Sequence, residues 1–200
     1  MADFVHLTNK TEYSLSEGAL PIARIAELCQ SFSMPAVGIS DNNNMFGALE
    51  FSEQIAKVGV QPILGCNIKI KTPKEYLHEN IEDNDLYFYL NIFSKNNEGY
   101  ENLLKCVSNA YTFNKGNAYV TVEDLIKFKD GLIILSGGNN SILTHSTGHM
   151  ITKQSQQFIS DFKKEFNDNF YIEIQRFGSV DYRLNEEAVL NLAYDHQIPL

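Results

Sequence analysis

Short apolar runs alternate along this chain with helix-period segments of roughly 12–17 residues, and no other feature constrains its fold as tightly. Phe4, Val5 and Leu7 open the first run. Residues 20–32 then carry Leu20, Ile22, Ile25, Ala26, Leu28 and Cys29 at helical spacing, with Ser16 as the expected cap and Pro21 early. Residues 34–40 read as a buried strand, followed by a polar turn at Asp41-Asn42-Asn43-Asn44. A helix through Val58 takes Phe46, Leu49, Phe51 and Ile55 as its core residues, and Gly59 closes it. Residues 60–70 are a third strand.

Beyond that point the pattern predicts a charged loop at 71–84, a strand rich in Tyr and Phe at 86–93, and a helix at 99–111. A short helix at 122–128 precedes a buried strand at 131–136 (GLIILS), which ends in a Gly137-Gly138-Asn139-Asn140 turn. A helix at 151–166, a strand at 170–175 and a helix at 180–196 follow. Strands separated by helices imply an α/β fold built from right-handed βαβ units, with a parallel sheet or barrel in a single domain. Because Ile198-Pro199-Leu200 reads as the opening of another strand, the chain is expected to be a fragment or truncated product, its barrel incomplete at the C-terminus.

Composition narrows the function. Sixteen Lys and Arg against 25 Asp and Glu give a net charge of −9, which argues against unaided grip on a phosphate backbone. No apolar run reaches the ~18 residues of a membrane span, so no membrane partner is expected. The N-terminus lacks the basic flank and apolar stretch of a secretory signal. Cys29, Cys66 and Cys106 match no zinc or redox spacing and read as reduced core thiols in a cytoplasmic protein. A chain of 200 residues also buries roughly 70% of its surface without help from disulfides or metals.

Ligands of α/β sheets lie beyond the carboxyl ends of the strands. At those ends His6 and Asp41 are candidate cation ligands, with Glu173 on the same rim. Thr8, Lys10, Asn42 and Asn67 occupy the remaining places. Neutral amides ligate Zn²⁺ poorly, and an ammonium repels it. His145 and His149 have the four-residue spacing of a helical ligand pair, but Ser146, Thr147 and Gly148 between them favour a loop. His78 reads as solvated surface, His196 as a helix-end residue, and Gly137-Gly138 as a tight turn.

Five segments, FVHLTNKTEYSLSEGAL, MPAVGISDNNNMFGALEF, GVQPILG, GLIILSGG and FYIEIQRFG, resemble in order and spacing the PHP (polymerase and histidinol phosphatase) domain of bacterial DNA polymerase III alpha subunits. That resemblance implies a distorted (β/α)₇ barrel and, in active members, a metal cluster that hydrolyses phosphoesters. It also implies cation ligands at positions 8, 10, 42, 67 and 177, where this chain has Thr8, Lys10, Asn42, Asn67 and Phe177. Asp41 and Glu173 match their motifs, and His6 stands near the first. The resemblance therefore implies a degenerate metal site with no catalytic residue and no cofactor in this chain, and Mg²⁺ only in the polymerase domain of a parent subunit. Its implied partners are the remainder of that subunit and a proofreading exonuclease subunit, with DNA reached only through the parent. The alternative is an active metal-dependent PHP phosphoesterase or 3′–5′ exonuclease.

Overall fold

A computed structural model describes residues 4–77, 87–113, 117–138, 141–143, 151–176 and 180–200. Within them lie α1 (Ile22–Ser31), β1 (Ala36–Asn42), α2 (Ala48–Lys57), β2 (Gln61–Lys71), a 3₁₀ turn (Lys74–Tyr76), β3 (Tyr87–Ser94), α3 (Asn97–Phe113), α4 (Val122–Lys127), β4 (Leu132–Leu135), α5 (Lys153–Phe166), β5 (Phe170–Tyr171) and α6 (Val180–Asp195). The five strands form one mixed sheet in the order β1-β2-β3-β4-β5.

The sheet is not parallel throughout. β1–β2 and β4–β5 pair in parallel, whereas β3 runs antiparallel to both its neighbours. The cause lies in the connections. A single crossover helix such as α2 returns the chain to a parallel start, but α3 and α4 together add one more reversal between β3 and β4.

The two faces of the sheet differ in chemistry. Val37 and Ile39 of β1 pack with Ile22, Ile25, Cys29, Phe51 and Ile55 from α1 and α2. On the same face farther along, Ile68, Leu90, Ile92, Ile134 and Phe170 meet Leu103 of α3 and Phe158 and Phe162 of α5. Cys29, Cys66 and Cys106 are free, buried thiols of these clusters, as their apolar neighbours in sequence imply. The opposite face carries Asn42, Asn67 and Asn91, which are register partners across β1, β2 and β3.

Several local expectations change. Ser16 is not the cap of α1: it sits in a turn at φ 68°, and the amide of Ile22, at the first turn of the helix, instead donates to the Glu12 carboxylate at 3.1 Å. A carboxylate ten residues away replaces the local cap because Pro21 holds the N-cap position. Phe46 and Leu49 are exposed, at 74% and 72%, rather than core. The helix begins at Ala48, so its inward stripe is Ala48, Phe51 and Ile55, and Leu49 points away. Asp41 and Asn42 belong to β1 instead of a turn, and the last strand ends at Tyr171. Gly59 does close α2, at φ 76°. At the C-terminus the amide of Ile172 donates to the Pro199 carbonyl at 2.9 Å, seating residues 198–200 beside the extension of β5. The readings made for His78, His145, His149 and the end of the Gly137–Asn140 turn fall outside the described residues, except that Gly137 and Gly138 adopt φ 92° and 56°.

Candidate functional site: a polar row beneath the N-terminal segment

The N-terminal segment runs beside the free edge of β1. The amides of Gly38 and Ser40 each donate at 2.8 Å, to the carbonyls of His6 and Asn9. Gly38 permits the approach, since a Cβ there would stand 2.6 Å from the Leu7 carbonyl oxygen. His6 itself is exposed and stacks edge-on against Phe4, so it faces solvent and not the sheet. Thr8 is half-buried in the same segment.

Asp41 and Asn42 are adjacent in β1 and therefore point to opposite faces. The Asp41 carboxylate is 1% exposed. It accepts the Thr11 amide at 2.7 Å, the Thr11 hydroxyl at 2.7 Å and the Ser14 hydroxyl at 2.5 Å. Those three donors occupy both its oxygens and tie the turn at residues 11–14 onto the strand end.

Asn42, Asn67 and Asn91 lie on the polar face. The Lys10 ammonium donates to Asn42 Oδ1 and stands 3.7 Å from the Glu17 carboxylate. Burial pulls the Lys10 pKa below its ordinary value, an effect that the charges of Glu17 and Asp41 partly offset. Next in the row, Asn67 Nδ2 donates to Asn91 Oδ1 at 2.8 Å, and Asn91 Nδ2 donates to Glu173 Oε2 at 2.7 Å. Glu173 Oε1 accepts Gln175 Nε2 at 2.5 Å, while the Glu173 amide donates to the Ser136 hydroxyl at 3.0 Å. The structure thus gathers Lys10, Asn42, Asn67 and Glu173 along one polar row and leaves Asp41 on the other face. Phe177 lies outside the described residues.

Asn91 and Ser136 were not among the candidates, though each had a signal. Asn91 interrupts an otherwise apolar strand (YFYLNIFS), and a buried amide needs partners. Ser136 closes GLIILS at the strand end.

The donor set at the expected ligand positions does not fit a divalent cation. Lys10 places a positive charge there, Asn42 already accepts from it, and the Asn67 amide is engaged by Asn91. Among the described residues, no three His, Cys, Asp or Glu side chains converge closely enough to hold a metal ion. Among the described residues, the one buried side-chain polar atom without a hydrogen-bond partner is the Ser40 hydroxyl, and a lone neutral hydroxyl does not make a cation site. Cys66 and Cys106 belong to the hydrophobic cluster on the helix-packed face and not to this row. Burial pushes Cys106 up to about 12 and Cys66 far above its usual range.

Comparison with known proteins gives a consistent family. A PHP domain model matches residues 6–177. The chain is 34% identical over 203 residues to the DNA polymerase III subunit alpha of Caulobacter vibrioides, covering 98% of this chain and 17% of that protein. The Rickettsia felis DNA polymerase III subunit alpha is 32% identical over 99% of this chain and 16% of its own length. The chain thus spans about a sixth of these relatives. Among solved structures, a protein assigned as a metal-dependent phosphoesterase from Bifidobacterium adolescentis superposes with a TM-score of 0.62 at 11% identity, covering 99% of this chain and 85% of that one. An amidohydrolase from Chromobacterium violaceum, with sulfate bound and no metal, gives 0.61 at 11% identity, with 97% and 84% coverage. At such identities the likeness is one of fold.

Proposed function

The chain belongs to the PHP domain family, and from that premise we propose that it is the PHP module of a bacterial replicative DNA polymerase III alpha subunit, acting as a scaffold and docking domain. Its relatives are polymerase subunits six times its length, so polymerisation and the Mg²⁺ that supports it belong to other parts of such a subunit. The module's own contribution in this reading is mechanical: it carries a distorted (β/α)₇-type barrel that supports the polymerase and receives a proofreading exonuclease subunit in the cytoplasm. A surplus of acidic side chains suits a surface that meets protein and stays off the DNA path.

One observation supports the degenerate site above the others. The side chain at one expected ligand position, Lys10, hydrogen bonds directly to the side chain at another, Asn42. Ligands of one ion stand apart with the ion between them; here they touch. The competing reading is a metal-dependent phosphoesterase or 3′–5′ exonuclease, and one of the solved proteins that share the fold is assigned as a metal-dependent phosphoesterase.

The test is metal content and hydrolysis on the purified chain, together with co-purification against the exonuclease subunit and the remainder of the alpha subunit. The scaffold reading expects less than one Zn, Mn or Fe per chain, no turnover of phosphodiester substrates, and a stable complex with polymerase components. Two or more tightly held metals with turnover would establish the hydrolase instead.

A further inference from the structure

We propose that the Lys10 ammonium is a built-in substitute for the cation of this fold, neutralising the junction between the N-terminal segment and the polar sheet face whatever the metal supply. The inference rests on the scaffold reading and deepens it. Loss of ligands alone would leave acceptors facing each other across an emptied site. Here two acceptors face the N-terminal segment: the Asn42 side-chain oxygen and the Glu17 carboxylate 3.7 Å from the ammonium. A positive charge between them is attracted to both.

Lys10 supplies that charge from within the chain. It leaves an expected ligand position on the N-terminal segment and reaches Asn42, an expected ligand position on β1 and 32 residues away. An ammonium carries three donors and, being part of the chain, joins the two positions without release or exchange. The neighbouring expected position shows the complementary change. Asn67 turns its amide to Asn91, and Asn91 joins it to Glu173, so the carboxylate that remains in the row is held by neutral donors and needs no ion.

The inference predicts that charge at position 10, and not the length of the side chain, holds the junction. Lys10→Met keeps the aliphatic stem and removes the charge, and it should lower the melting temperature by about 3–6 °C. Lys10→Ala should fall at least as far and should recover on adding millimolar ethylammonium, with smaller gains for Lys10→Met, whose stem still fills the space. The wild-type chain should not respond. A Lys10→Met protein as stable as the wild type overturns the proposal, and so does a destabilised Lys10→Ala that ethylammonium does not restore. Should Lys10→Ala fail to fold, Lys10→Met alone decides. If the wild-type melting temperature climbs with stoichiometric Mn²⁺, the scaffold reading fails instead, because the site then takes a metal with Lys10 in place.

Discussion

Asp41 accepts both the amide and the hydroxyl of Thr11, at 2.7 Å each, and so fastens the N-terminal turn to the end of the first strand. The carboxylate is buried and also takes the Ser14 hydroxyl. Asp41→Ala removes the acceptor of three donors at once, at a cost of about 3 kcal/mol or more. Asp41→Asn keeps part of the geometry and should cost less. Urea midpoints of the two variants check the order. Any loss of function in a full subunit carrying Asp41→Ala should scale with that instability and be insensitive to added Mn²⁺.

The Asn67–Asn91–Glu173 chain is a coupled unit. Replacing Asn91 by Ala strands the Asn67 amide and removes a donor from Glu173, which should cost about 2 kcal/mol. A double-mutant cycle of Asn91→Ala and Glu173→Gln should return a coupling of about 1 kcal/mol. Additive effects would mean that the row is not a network.

Within GLIILS, adjacent positions should answer differently to charge. Ile134 is fully buried in the helix-packed core, while Ile133 is only half-buried on the other face. Ile134→Asp should cost several kcal/mol through unpaired burial and unfold the domain. Ile133→Asp should be far milder. Circular dichroism on heating separates them.

Tyr76 donates its hydroxyl to Asp161 at 3.0 Å, and burial together with that bond pushes its pKa from 10.0 to about 12. The folded state therefore holds a proton that the unfolded chain releases first as pH rises. Stability linked to Tyr76 is intact below pH 10 and is lost between about pH 10 and 12. Denaturation midpoints of wild type and Tyr76→Phe should diverge across that window, with the variant losing less.

The three cysteines are buried, and Cys66 and Cys106 resist ionisation. Ellman's reagent should find no fast-reacting thiol in the native chain and three after unfolding, because only the thiolate attacks.

Periodicity and glycine placement made most of the secondary structure readable. The runs at 34–40, 60–70 and 131–136 became β1, β2 and β4, and the helices at 48–57, 97–113 and 153–166 sit where the apolar spacing puts them. Strand direction was not readable, since an apolar run has no arrow. The antiparallel placement of β3 comes from how many helices and turns separate it from its neighbours. The Glu12 cap of α1 was hidden for a similar reason: its carboxylate reaches the helix only after the 11–14 turn has formed.

The chemical types at the site were set by the sequence alone: an ammonium at position 10, amides at 42 and 67, and carboxylates at 41 and 173. Tertiary structure decided which of them meet. Alternation along β1 sends Asp41 and Asn42 to opposite faces, and strand register sets Asn42, Asn67 and Asn91 side by side. A string of residues carries composition and period, but contact between positions 32 or 82 apart exists only once strands are paired and a side chain has been given a face.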